Sequence, residues 1–374
     1  MDLAVVHEWF VTHAGSEQVV AQILSQYPAA DVYGLVDFLP DDLRYFIQQK
    51  SVHTSFIQRL PFARRQFRQY LPLMPIAIEQ FDLSNYEVVI SSSHAVAKGA
   101  LTRADQLHIS YVHTPIRYAW DLHHQYLREA KLTHGMRAIA ARAILHYLRL
   151  WDVATANRVD AFVANSRYVA RRIWKTYRRP ATVIYPPVAI DRFRPDRPRD
   201  EFYLTVSRFV PYKRVDLIVQ AFAQLGRSLV VIGDGDDRAK IEAIATPNIT
   251  VLGSQPNQVV TDYMERCKAF IFAAEEDFGI TPVEAQAAGA PVIAYGKGGV
   301  TETIVPGKTG VFFPLQTPES LVAAVQQFEA ERPFFMPDVL RQNAEQFSPE
   351  RFRSQFSEFV DQKWSRFRQG DDIE

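Results

Sequence analysis

The chain has 374 residues, 47% of them hydrophobic and 22% charged, which suits two domains of ordinary globular composition and contains no stretch near the roughly 18 uncharged apolar residues of a membrane span. Basic and acidic residues balance at 42 each, yet residues 1–187 hold 21 basic against 15 acidic and residues 188–374 hold 21 against 27, while all ten histidines fall in the first half. The single cysteine, Cys267, excludes a disulfide framework, and Met1-Asp2-Leu3 lacks a basic leader, so a cytoplasmic location is expected.

Leu3-Ala4-Val5-Val6 reads as a buried strand, His7 to Ser16 as a loop containing Gly15, and Glu17 to Tyr27 as a helix from the spacing of Val19, Val20, Ile23 and Leu24. Short apolar runs recur at 88–90, 108–112 and 161–164, with helical patterns between them. Strand and helix alternating in this way predict a mostly parallel sheet wrapped by helices. Arg59, Arg64, Arg65 and Arg68 interleave with Leu60, Phe62, Phe67 and Tyr70. From Arg137 to Trp151 a helix is expected, with Arg142, His146 and Arg149 on one face and Ala141, Ile144, Leu148 and Trp151 toward another. Basic, aromatic-bearing segments of this kind suit either a solvated face over a core or an anionic membrane surface. Adjacent His123 and His124 should point apart on a helix and have no zinc spacing. No nucleic-acid-binding motif accompanies the basic residues.

Val183 to Val188 runs a short strand into Pro186-Pro187, and Pro195 and Pro198 follow. Proline favours extended backbone, so residues 187–200 read as an interdomain connector, where the charge balance changes sign. The domains are then 1–187 and 188–350, followed by a closing helix over 351–374 that packs back toward the first domain and ends in a polar tail. A second alternation begins at Phe202 to Val206 and continues with a helix from Val215 to Leu225 and strands at 229–232, 249–252, 269–272 and 291–294.

Three segments at strand ends carry the chemistry. Ser207-Arg208-Phe209-Val210-Pro211-Tyr212-Lys213-Arg214 offers fixed cations that can stabilise charge developing on a phosphate leaving group; Arg214 also suits an ordinary helix start. Glu276-Asp277-Phe278-Gly279-Ile280-Thr281-Pro282-Val283-Glu284 leads through a glycine turn into a helix expected from Pro282 to Ala288. Such a turn aims backbone amides at an anionic or hydroxylated ligand, and carboxylates suit sugar and ribose hydroxyls. Tyr111-Val112-His113-Thr114-Pro115 places a histidine past a strand of the first domain. Asp234-Gly235-Asp236 matches an Asp-x-Asp metal motif, but three residues are a weak match, and Gly233-Asp234-Gly235 completes no G-x-G-x-x-G fingerprint.

The segment from Glu275 to Gly289 resembles the two-glutamate motif, glutamate–seven residues–glutamate, of the retaining glycosyltransferases with the GT-B fold. It is most similar to the mannosyltransferases of bacterial O-antigen and exopolysaccharide assembly, and the resemblance runs to about residue 350. It implies two doubly wound, Rossmann-like domains facing an interdomain cleft, the first taking the acceptor and the second the nucleotide sugar. Glu276 then faces the transferred sugar, and Glu284 holds the ribose. Phe278, Gly279, Ile280 and Thr281 contact sugar and diphosphate through their amides. Arg208 and Lys213 attend the diphosphate, His113 approaches the hexose, and Gly15 and Gln255 lie near the donor. Gly15 is preceded by Ala14 where the family often has a second glycine. The expected activity is transfer of a hexose, with mannose from GDP-mannose foremost, to a glycan or lipid-linked sugar. The expected partners are that donor and acceptor and an anionic membrane surface; no metal cofactor and no nucleic acid is expected. A UDP-hexose donor and a sugar-nucleotide epimerase on the same fold are the alternatives.

Overall fold

The period-two alternation of Leu3 to Val6 sends successive side chains to opposite faces of one sheet. Leu3 and Val5 join Val19, Val20, Ile23 and Leu24 in one buried cluster, whereas Ala4 and Val6 join Met74, Ala77, Ile78 and Val96 in another. This computed structural model describes residues 1–331 and 335–371. The chain divides into two units, Met1–Pro187 with the segment from Phe352, and Val188–Arg351.

The first unit is built on seven strands: β1 (Leu3–Phe10), β2 (Asp31–Asp37), β3 (Val52–Thr54), β4 (Val88–Ser93), β5 (Leu107–Val112), β6 (Ala161–Ala164) and β7 (Thr182–Val183). Their order is β3-β2-β1-β4-β5-β6-β7, and every pairing is parallel. The helix expected from Glu17 begins at Gly15 and ends at Gln26. The closing helix, Pro349–Gln369, contributes Phe352, Phe356, Phe359 and Val360 to the core of this first unit.

The second unit holds six parallel strands: β8 (Tyr203–Val206), β9 (Leu229–Ile232), β10 (Ile249–Gly253), β11 (Ala269–Phe272), β12 (Val292–Tyr295) and β13 (Gly310–Phe313). Their order is β10-β9-β8-β11-β12-β13, with all neighbours parallel. Two doubly wound sheets of seven and six parallel strands, both with buried apolar faces, are Rossmann-like domains, the domain type that the resemblance implied. In each sheet the chain first builds outward on one side of its first strand and then returns to the other side. The reversal lies between β1 and β4 in the first unit and between β8 and β11 in the second, and crevices outside the carboxyl ends of strands at such a point are where open α/β sheets bind ligands.

The stretch read as a connector is anchored along the second unit. Arg197 pairs with Asp262 at 2.8 Å and with Glu265 at 2.9 Å, the Arg194 amide donates to Glu265 at 2.8 Å, and Arg199 donates to the carbonyls of Met264 and Cys267 at 3.2 Å. The stretch is not extended throughout, since it turns at Ile190–Arg192 and again at Pro195, and its arginines tie it to the end of the helix Asn257–Arg266.

Candidate functional site

In the second unit, the segments leaving β8 and β11 bring Lys213 and Glu276 into an ion pair, each side chain no more than 17% exposed. Lys213 ends the turn Pro211–Lys213, and Arg214 in left-handed backbone (φ 55°) opens the helix Val215–Leu225. Arg214 pairs with Asp216 at 3.3 Å, the helix-start role. Arg208 is exposed and donates to the Tyr212 hydroxyl at 3.1 Å.

Glycines hold both segments. Gly298 lies at φ 83°, and a Cβ there would sit 2.4 Å from the Glu276 carbonyl; at Gly299 it would sit 2.2 Å from that of Asp277. The Gly299 amide donates to the Glu276 carbonyl at 2.8 Å, so the backbone beneath Glu276 rests directly on a side-chain-free strip. The Gly233-Asp234-Gly235 turn does the same for Arg208. A Cβ at Gly233 would meet the Ser207 carbonyl at 1.7 Å and one at Gly235 the Phe209 carbonyl at 2.5 Å, while the Phe209 amide donates to the Asp234 carbonyl at 2.8 Å. Asp234 is itself engaged, accepting from the Gly235 amide at 2.8 Å and pairing with Arg238 at 3.1 Å. Among the described residues no group of three or more histidines, cysteines or acids is placed to hold a metal ion.

The helix after Glu276 runs Ile280–Ala287, two residues earlier than the proline suggested, with Gly279 (φ 92°) as its cap. Pro282 therefore lies in the first turn, where its missing amide has no helical partner to lose. Phe278 is buried against Phe347, ring centroids 5.4 Å apart, which fixes the turn whose amides run on to Thr281. Glu284 is buried and pairs with Arg192 at 2.6 Å. Burial pushes its carboxyl above the ordinary value, and Arg192 offsets only part of that. Arg192 carried no sequence signal beyond its proline-rich surroundings. Gln255 follows β10 and donates to the Leu252 carbonyl at 2.8 Å.

In the first unit a polar cluster fills the carboxyl ends of β1, β4 and β5. His113 bonds through Nε2 to the Ser92 hydroxyl at 2.8 Å, its amide donates to the Ser93 carbonyl at 2.8 Å, and Asn165 donates to its carbonyl at 3.0 Å. Burial lowers its pKa to about 3, so the ring is neutral near pH 7. Glu8, fully buried, accepts from the amides of His94, Ala95 and Ala97 at 2.9, 2.8 and 3.2 Å and pairs with His94 at 3.0 Å. Burial opposes the charge on both, yet the pair prevails: Glu8 is held well below the carboxylate range and His94 above the histidine range. Gly15 opens its helix behind Ala14, and Glu17 accepts from the Ala14 amide at 3.2 Å and the Ser16 hydroxyl at 2.9 Å. Glu8, His94 and Ser92 were missed in sequence, where single polar residues inside apolar strands give no pattern. His123 and His124 do not diverge; their rings meet edge to face, centroids 4.9 Å apart. Arg149, on the face it shares with Arg142 and His146, donates to the Ala119 carbonyl at 3.0 Å.

Residues 14–192 match the family model described as Glycosyltransferase Family 4, and residues 189–347 match that of Glycosyl transferases group 1. Fold and both matches make the chain a glycosyltransferase of the GT-B type. Among its relatives are an uncharacterized glycosyltransferase of Methanocaldococcus jannaschii, 28% identical over 50% of this chain and 54% of that protein, and a GDP-mannose-dependent alpha-mannosyltransferase of Mycobacterium tuberculosis, 33% identical over 29% of each chain. The chain thus spans about half or less of the length of these curated relatives. Among solved structures, Anabaena HepE in complex with UDP matches with a TM-score of 0.69 at 16% identity, covering 97% of this chain and 100% of that one. Sucrose-phosphate synthase from Thermosynechococcus elongatus matches with 0.71 at 16% identity, covering 98% and 100%.

Proposed function

We propose that the chain is a retaining hexosyltransferase that moves mannose from GDP-mannose onto a glycan or lipid-linked sugar. The observation that carries this reading is the Lys213–Glu276 pair, with Arg208 nearby in sequence, at the reversal point of the second sheet. Arg208 and Lys213 stabilise negative charge growing on the departing diphosphate. Glu276 orients the hexose, Glu284 the ribose, and the amides of Phe278 to Thr281 receive phosphate and sugar oxygens. Gln255 lies toward the base and Gly15 lets the phosphates approach. His113, in the first unit, contacts the hexose. The bond from the anomeric carbon to the phosphate oxygen breaks while a bond to the acceptor oxygen forms on the same face. The acceptor's proton passes to the departing phosphate. Relatives named as GDP-mannose-dependent mannosyltransferases support the donor, and a neighbour solved with UDP-glucose keeps a UDP-hexose as the alternative.

A panel of nucleotide sugars tests the donor by thermal shift, and product analysis tests the reaction. GDP-mannose should stabilise the protein most; a larger shift with a UDP-hexose would replace it. Conversion of the nucleotide sugar with no acceptor present would instead make the chain an epimerase. Because fixed cations supply the charge, transfer should persist in excess EDTA. Loss of activity restored by magnesium or manganese would overturn metal independence and return attention to Asp234 and Asp236.

A further inference from the structure

We propose that Ser92 and His7 are positioning residues that hold His113 as the tautomer with its proton on Nδ1, so that the ring offers the site a hydrogen-bond donor and no base. This rests on the reading of His113 as a site residue.

The chain of reasoning begins at an atom with no choice. The Ser92 carbonyl can only accept, and it lies 3.1 Å from His7 Nδ1, so that nitrogen carries a proton whatever the charge of His7. The same proton is shared with the Ser92 hydroxyl oxygen at 3.2 Å. With one lone pair of that oxygen engaged, the hydroxyl proton turns to the remaining neighbour, His113 Nε2 at 2.8 Å. In the opposite arrangement, Nε2 would donate and the hydroxyl proton would have no acceptor in the cluster. A buried donor without a partner costs about 1–3 kcal/mol, which selects the first. His7 and Ser92 are both fully buried, so water does not reset the chain. Nε2 therefore accepts, and the proton of the neutral ring is on Nδ1.

The surroundings keep the ring neutral. His94 lies 6.3 Å away and Tyr111 5.2 Å away, centroid to centroid. Burial, then His94 and His7, oppose a charge on His113, and Glu8 and Glu17 offset this incompletely. An imidazole in this state can donate to a hydroxyl or ring oxygen of a sugar but cannot take a proton at Nδ1.

The test is long-range nitrogen–proton NMR of the histidine rings in the full ¹⁵N-labelled chain without any nucleotide sugar, the His113 signals assigned by their loss in His113→Gln. Nδ1 should resonate as a protonated and Nε2 as an unprotonated ring nitrogen. In Ser92→Ala the two should exchange character or average, and Ser92→Thr, which keeps the hydroxyl, should restore the wild-type pattern. A protonated Nε2 in the wild type overturns the proposal, as does an unchanged His113 pattern in Ser92→Ala. The wild-type spectrum decides even where Ser92→Ala fails to fold. No activity is read, so failure of the donor assignment leaves the outcome intact.

Discussion

Lys213 and Glu276 hold opposite charges where each is mostly shielded from water, so a ligand phosphate has a preset cation to meet and a preset carboxylate beside it. Removing Lys213 strips a charge-assisted contact worth about 1.5–3 kcal/mol. Lys213→Ala should therefore weaken binding of a nucleoside diphosphate at least about tenfold with the circular dichroism spectrum unchanged; equal affinity by calorimetry would remove Lys213 from the donor site. A second residue effect concerns acid. Burial depresses His108 to about 4 and His113 to about 3. Above pH 6.5 both states are neutral there, but below it the unfolded chain binds protons that the folded chain refuses. Stability is then lost as pH falls, by about 1.4 kcal/mol per unit for each such group. His94, raised by Glu8, acts in the opposite sense. Urea unfolding at pH 7.5 and 5.5 should show His108→Asn losing less stability on acidification than wild type; an equal loss would mean His108 is protonated in the fold. At this scale the glutamate and lysine candidates were legible because they sit in a motif. Arg192 was not, since its partner Glu284 lies 92 residues away. Nor were Ser92 and Glu8, whose roles depend on strands adjacent only in the folded sheet.

Elements place these side chains, and glycines decide how closely elements approach. Gly298 and Gly226 both adopt left-handed backbone, at φ 83° and 65°, but only Gly298 abuts another segment, 2.4 Å from its built Cβ to the Glu276 carbonyl; nothing lies within 4 Å at Gly226. Both alanine variants incur the left-handed strain of about 1–2 kcal/mol. Gly298→Ala must in addition push the Glu276 backbone aside, so it should cut kcat at least about tenfold, whereas Gly226→Ala should lower Tm and leave kcat within twofold. Equal kcat in the two would mean that the glycine strip does not position Glu276. Most strands and the helices Gly15–Gln26, Met136–Ala156, Val215–Leu225, Ile280–Ala287 and Pro349–Gln369 were readable from apolar periodicity, and the parallel sheets followed from their alternation; β2, β3 and β13 and helices such as Arg167–Tyr177 and Asn257–Arg266 were not read. Strand order was not readable, because it is set by pairings such as Leu3 with Val88 that no local pattern contains. Asp234-Gly235-Asp236 illustrates the limit: as a string it was a weak match to an Asp-x-Asp metal motif, and in the fold the overlapping Gly233-Asp234-Gly235 turn is a spacer under Arg208.

At the scale of the whole molecule the charge asymmetry acquires a surface. The helix Met136–Ala156 leaves Met136 (81% exposed), Ile139 (63%) and Leu150 (61%) in solvent, beside exposed Arg137, Arg142 and His146. Its inner side packs Leu145 and Leu148 with Leu71, so the segment bearing Phe62 (76% exposed) and exposed Arg64 and Arg65 adjoins it. Arg68, also exposed, lies over the rings of Phe67 and Trp9. No helix among the described residues is long and apolar enough to cross a membrane. Apolar side chains flanked by cations instead suit lying in the interface, and each basic residue near an anionic surface adds about 1 kcal/mol. We propose that this surface holds the first unit at a bilayer, where a lipid-linked acceptor would be presented. Wild type should co-sediment with vesicles containing phosphatidylserine at low ionic strength and release as salt shortens the screening length. Arg64→Glu with Arg65→Glu should weaken the binding at all salt concentrations, and Ile139→Ser with Leu150→Ser should weaken the part that salt does not remove. Wild type remaining in the supernatant at low salt would make a soluble acceptor the better reading. Glycosyl transfer would stand in that case, because it rests on Arg208, Lys213, Glu276 and Glu284, none of which belongs to this surface.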